Sequence, residues 1–108
     1  MPRKKTSSDQ KPMIYPMGLW ELDSSQYRLK HVPIHIAVEE WLANEFIAHW
    51  HDVEAIGFGK SRLEAIESLK ADILDLYEDL KTTPDEELSR TVLQAKKLLL
   101  LTIEEVKA

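Results

Sequence analysis

Val32, Ile34, Ile36 and Val38 alternate with His31, Pro33, His35 and Ala37. A period of two puts the four apolar side chains on one face of an extended strand, and such a face needs a sheet to belong to. Phe46, Ala48 and Trp50 repeat the pattern against Ile47, His49 and His51. Residues 39–45 between the two runs read as a hairpin loop, which makes the pair antiparallel. Pairing Val38 with Phe46 sets Ile36 beside Ala48 and Ile34 beside Trp50, so the apolar faces coincide. Pro33 cannot donate to a ladder. Its strand is therefore expected at an edge, or with the proline at a non-bonded position. A third short strand is expected over residues 54–59.

Ser61-Arg62-Leu63-Glu64 is a capping box: a hydroxyl that accepts from the third helical N–H, and a glutamate that reaches back. Behind it Ile66, Leu69, Ile73, Leu76 and Leu80 recur at spacings of three and four, one apolar stripe on a helix of about five turns. Thr83-Pro84-Asp85-Glu86 reads as a second helix start, with acids near the positive dipole end. Its stripe is Leu88, Val92, Ala95, Leu99 and Ile103, and it is expected to run as one helix to Ala108. Leu98, Leu99, Leu100 and Leu101 point in four directions on such a helix, so more than one side must be covered. The first helix covers only one. A twofold dimer is therefore expected, with Leu98, Leu99 and Leu101 at the interface.

The expected fold class is α+β: an antiparallel sheet of three or four strands packed against two C-terminal helices, in a dimer. The domain spans residues 31–108. Residues 13–30 carry Met13, Ile14, Tyr15, Met17, Leu19 and Trp20 among Pro12, Pro16 and Gly18. They read as an irregular arm that wraps over the core or adds an edge strand. Residues 1–12 read as a disordered basic tail.

The 108 residues are 44% hydrophobic and 31% charged, which fits one compact domain and excludes fibrous or wholly disordered classes. There is no cysteine, so disulfides, thiolate catalysis and thiolate-bound zinc are excluded. A cytoplasmic location is expected, because the basic start lacks the apolar stretch of a secretory signal and no run is long enough for a membrane span. In residues 1–12 Arg3, Lys4, Lys5 and Lys11 stand against Asp9 alone, a net +3; the rest holds 10 basic and 18 acidic side chains, a net −8. An acidic body repels phosphate backbones and attracts basic partners, so nucleic acid is not expected.

Catalytic chemistry finds little purchase. His35 would face His49, with His31 and His51 on the same sheet face. This histidine face could hold a transition metal or form a pH-sensitive interface, but a solvated polar face accounts for it and no tight ligand motif is present. Asp72, Asp75 and Asp79 lie in a row on the first helix. The row could hold magnesium, but a solvated acidic face, or a landing place for a basic partner, accounts for it better. Gly57-Phe58-Gly59-Lys60-Ser61 lacks the glycine spacing of a phosphate loop, and its glycines are assigned to backbone geometry at the strand-to-helix turn. No catalytic residue, metal or cofactor is assigned.

Phe46-Ile47-Ala48-His49-Trp50, followed by Ile56-Gly57-Phe58-Gly59-Lys60-Ser61-Arg62-Leu63-Glu64-Ala65-Ile66, resembles the HicB-like antitoxin domain. Gly59, Lys60, Ser61, Glu64 and Ala65 fall on that family's turn from strand to helix. The resemblance covers about residues 31–80. It implies a partial ribonuclease-H-like sheet, self-association, no nuclease activity of its own, and occlusion of a small basic ribonuclease toxin. Glu39, Glu40, Glu45 and Asp52 are the carboxylates expected to meet that partner. Asp52-Val53-Glu54 stands where the family usually has a loop with Pro or Gly. No DNA-binding tail is evident. The alternatives to this reading are a stand-alone oligomeric scaffold or regulator, and a metal-dependent enzyme using the histidine face.

Overall fold

The computed structural model describes residues 11–106. Residues 1–10 of the expected basic tail, and the last two residues, lie outside them. Four strands make one antiparallel sheet in the order β1 (Met13–Leu19), β3 (Ile34–Trp41), β4 (Glu45–Trp50), β5 (Ala55–Gly59). Helices α1 (Arg62–Lys81) and α2 (Arg90–Thr102) complete an α+β domain. A separate ribbon pairs β2 (Tyr27–Leu29) with β6 (Ile103–Glu105). No helix among the described residues is long and apolar enough to cross a membrane.

The alternation places the sheet's two faces as expected. Ile34, Ile36, Val38, Ala48 and Trp50 are all buried beneath the helices. The register differs. Val38 pairs with Ala48 and Ala37 with His49, two residues from the expected pairing. The hairpin loop is only Leu42-Ala43-Asn44, closed by positive φ at Ala43 (65°) and Asn44 (57°), so β3 runs on to Trp41. Because the shift is even, no side chain changes face. β3 is an interior strand; Pro33 lies just before its first residue and costs the ladder nothing. Of the two readings of residues 13–30, the edge strand is the one found: they supply β1, in register with β3 from Ile34 to Glu40.

Helix α1 starts as the capping box dictates. The Glu64 N–H donates to Ser61 Oγ (3.1 Å), and the Lys60 N–H donates to Glu64 Oε1 (2.8 Å). That second bond begins a row. The Phe58 N–H donates to Ser68 Oγ (3.1 Å) and the Ile56 N–H to Asp72 Oδ2 (2.9 Å). Residues 64, 68 and 72 are one helical turn apart, and they occupy the free N–H groups of edge strand β5 along its length. Beneath this seam Gly57 lets the helix approach: an added Cβ would sit 2.7 Å from Leu69 Cα and collide with the Leu69 nitrogen and Ala65 oxygen. No glycine among the described residues has positive φ. The glycines at this turn therefore serve close packing rather than an unusual backbone conformation.

The second helix begins later than expected. Asp85–Glu87 form a 3-10 turn, and Ser89, not Thr83, caps α2 by accepting from the Val92 N–H (3.3 Å). Lys96 ties the linker down by donating to the Thr83 carbonyl (2.7 Å) and Asp85 (2.8 Å). The helix stops at Thr102, and Ile103 continues as strand β6 rather than as helix. Tyr27 of the ribbon packs edge-on against Tyr77 of α1 (5.3 Å) and donates its hydroxyl to Glu78 (2.7 Å). That bond, together with burial, raises the Tyr27 pKa against the opposing pull of Lys81.

A second clamp holds residues 20–24. Lys70, buried on α1, donates to Glu21 (2.6 Å) and Asp23 (2.9 Å). Burial works against the ammonium charge, but the bonds and charges of Glu21 and Asp23 outweigh it and raise the Lys70 pKa. The bond from Lys70 above all holds the Asp23 carboxyl below its usual range. A raised Lys70 pKa gives stability that is full below the ordinary ammonium pKa and lost as pH rises through the folded value. A depressed Asp23 pKa gives stability that is full above the ordinary carboxylate pKa and lost as pH falls through the folded value. Lys70→Met should therefore flatten the stability profile at both ends, read by urea melts across pH. At neutral pH it should cost no more than about 1 kcal/mol, because both carboxylates are more than half exposed and regain water.

Candidate functional site

The carboxylates expected at a partner surface do not form one patch. Adjacent on β3, Glu39 and Glu40 point to opposite faces. Glu39 accepts from Trp41 Nε1 (2.9 Å) and lies 3.2 Å from His49 Nε2 on the open face. Glu40 accepts from the Tyr15 hydroxyl (3.0 Å) beside Arg62, whose guanidinium covers the Tyr15 ring at 4.5 Å. Glu45 is exposed at the start of β4, next to the hairpin loop, and Asp52 follows β4 at that strand's other end. The oligomer residues also part company. Leu99 is 1% exposed within the single chain, and Leu98 packs half-buried against the same core. Only Leu101, 63% exposed, remains at the surface as an interface residue requires.

The histidines meet differently from expectation. His49 lies opposite Ala37 rather than His35, and its ring stacks on His51 (4.6 Å between centroids, 9° between planes). Among the described residues no group of three or more His, Asp or Glu side chains could hold a metal ion. Of the acidic row on α1, Asp72 is engaged by the Ile56 N–H and the neighbouring Glu78 by Tyr27. Asp75 and Asp79 are exposed.

Asp79 belongs to a groove that the sequence does not announce. A concavity of about 480 Å³ lies between α1, α2 and the 3-10 turn His51–Val53. Its apolar lining comes from Val53, Leu76, Leu80, Val92 and Ala95. Asp52, Glu54 and Asp79 supply carboxylates, and no lysine or arginine is among the described lining residues. A second depression of about 460 Å³ shares Leu76 and Asp79 and adds Asp72, Asp75 and Glu78. The two adjoin at Leu76 and Asp79, and the first of them, between the helices and the turn, is the acidic channel.

Local sequence shapes this channel. After β4 the chain makes a single 3-10 turn and reverses at Glu54, whose N–H donates to the His51 carbonyl (3.1 Å). Glu54 has φ 58°, a left-handed conformation that glycine adopts freely and glutamate does not. Val53 is buried beneath the turn, which leaves Asp52 and Glu54 facing out on either side of it. The α2 start fixes the opposite wall: Ser89 caps the helix and presents Thr91, Val92 and Ala95 to the groove. Val92 is 38% exposed there.

Chemically the channel offers apolar contact beneath carboxylates. It can hold an apolar side chain flanked by cations. No family model matches the chain, and no curated protein or solved structure matches it either.

Proposed function

We propose that this protein is a non-catalytic, cytoplasmic interaction module that binds and occludes a basic protein partner through the channel between α1, α2 and the His51–Val53 turn. The resemblance of residues 46–66 to the HicB-like antitoxin turn makes a small basic ribonuclease toxin the leading candidate for that partner. The observation that carries the reading is the pairing of an apolar floor with carboxylates from two distant chain segments, Asp52 and Glu54 on one side and Asp79 on the other. Apolar contact supplies affinity, and the carboxylates steer and orient a cationic surface. Occlusion follows: a ribonuclease whose phosphate-binding cations sit in this channel cannot hold RNA.

The backbone at Glu54 supports the same reading. Holding a non-glycine residue in the left-handed region costs about 1 kcal/mol, and strain of this kind gathers where function needs a particular side chain. Glu54→Gly should therefore raise the stability of the free protein by up to about 1 kcal/mol. The same substitution should weaken partner binding several-fold.

The test starts from the gene's neighbours: where one encodes a small basic protein, the two are co-expressed and titrated at graded salt. A complex is expected whose affinity falls steeply with ionic strength, and Asp52→Lys/Asp79→Lys should abolish it while Glu45→Lys leaves it intact. Binding that is indifferent to salt and to Asp52→Lys/Asp79→Lys would remove the channel from the mechanism.

A further inference from the structure

Exposed apolar side chains gather at one end of the sheet. Met13, Glu40, Phe46 and Gly59 pair across its last row, beyond which lie the Leu42-Ala43-Asn44 loop and the turn into α1. Met13, Ile14, Leu42, Phe58 and Leu63 belong to this end, each 59% to 68% exposed. Elsewhere among the described residues only Trp20 and Leu101 are large apolar side chains exposed to that degree. The cluster wraps the end rather than lying on one face. Strand parity puts Met13, with Glu40, on the helix side of the sheet and Ile14 and Phe58 on the open side, with Leu42 at the hairpin tip between them. A partner protein presents one surface and covers one side of such an end. A fluid apolar phase closes around it and reaches both sides.

Charge selects the kind of phase. Lys11, Lys60 and Arg62 are exposed at the same end, and residues 1–12, with their net +3, join the sheet at Met13. Three of the carboxylates here are engaged within the chain: Glu39 accepts from Trp41, Glu40 from Tyr15 and Glu64 from the Lys60 N–H. Glu45 is exposed. Residues 1–14, 39–46 and 58–64 together are net +1, whereas the remainder of the chain is net −6. A leaflet with anionic headgroups attracts the first group and repels the second, which sets an orientation as well as an affinity.

We infer that the hairpin end of the sheet docks on an anionic lipid surface. Leu42, Phe58 and their apolar neighbours enter the interface, and the cations around them, with those of residues 1–12, meet headgroup phosphates. A shallow apolar anchor by itself holds a protein only marginally, and a basic segment by itself is released by salt; the two signals together give a peripheral, reversible association. The acidic channel lies at the opposite end of β4 from the hairpin, beside the His51–Val53 turn. It therefore faces away from the lipid and stays open, and the inference does not rest on what the channel binds.

Co-sedimentation of the full chain with sucrose-loaded vesicles tests it. The wild type should pellet with vesicles of phosphatidylglycerol and phosphatidylcholine in equal amounts, stay in the supernatant with phosphatidylcholine alone, and be released by salt. Leu42→Ser/Phe58→Ser, which leaves the charge unchanged, should weaken binding by about tenfold or more. Lys4→Gln/Lys5→Gln should weaken it several-fold, and Leu101→Ser, an equally exposed leucine outside the cluster, should bind like the wild type. Thermal melts check that each variant folds; should the double variant melt early, Leu42→Ser alone, in the loop, carries the test with a several-fold loss. A wild type that stays in the supernatant with anionic vesicles, whether or not a protein occupies this end instead, overturns the inference. So does equal binding to neutral vesicles, or binding that survives Leu42→Ser/Phe58→Ser or Lys4→Gln/Lys5→Gln.

Discussion

Gly57→Val is expected to abolish folding, and Gly57→Ala to lower the melting temperature by more than 10 °C. The cause is the short distance between β5 and α1. A Cβ at residue 57 meets backbone atoms of Ala65 and Leu69, which cannot swing aside as a side-chain tip can. Backing α1 away would break the three bonds from the β5 edge to Glu64, Ser68 and Asp72. It would also open space over Ala48, which pairs with Gly57 and is fully buried. Overpacking of this kind costs about 3 kcal/mol for one methyl group. At about 4 to 8 °C per kcal/mol in a domain near 100 residues, that is a large shift. Valine adds two further carbons and reaches the scale of the whole folding free energy, about 5 to 15 kcal/mol. Gly18→Ala is the control. Its Cβ would approach the ring carbon Pro33 Cβ at 2.9 Å, one tight contact near the end of β1, whereas Gly57 meets several backbone atoms, and the cost should be smaller, about 1 to 2 kcal/mol. Thermal melts by circular dichroism distinguish the two. Equal losses at both positions would show that glycine content, not the helix–sheet approach, sets the stability.

The same contact shows what a sequence can and cannot disclose. Alternation located β3 and β4 and assigned their faces correctly, because side-chain direction depends only on parity. It missed the register by two, because loop length rests on Ala43 and Asn44 both accepting positive φ, which asparagine favours but alanine does not advertise. The capping box placed the start of α1, since a cap is a local device. The reading of Thr83 as the second cap missed Ser89, where α2 starts, and Lys96 holds Thr83 and Asp85 in the linker instead. Strands β2 and β6 have three residues each and exist only because they find one another. The opposite directions of Glu39 and Glu40 were hidden, because residues 39–45 read as a loop whereas β3 runs on through both. The channel was not readable, because its carboxylates come from residues 52–54 and from residue 79, joined only by the packing of α2 against the 3-10 turn.

Leu99→Lys should leave the chain unfolded, whereas Leu101→Lys should change stability by no more than about 0.5 kcal/mol. The four leucines from 98 to 101 sweep about 300° around α2 at 100° per residue, so a single covering surface cannot treat them alike. Leu99 is 1% exposed in a core shared with Ala95 and Ile103, whereas Leu101 faces out. A lysine at residue 99 must either bury its ammonium unpaired or drive α2 off α1, and each costs several kcal/mol. Leu99→Ala separates packing from charge: it removes the side chain without introducing a cation and should cost about 2 to 5 kcal/mol. The decisive measurement is a urea melt at micromolar concentration or below, where any dimer is dissociated. If Leu99 sealed a contact between copies, Leu99→Ala would match the wild type under those conditions and differ only when concentrated. A core residue loses the same free energy at every concentration, and that is the expected result: Leu99 is covered within the chain itself, while Leu101 stays exposed.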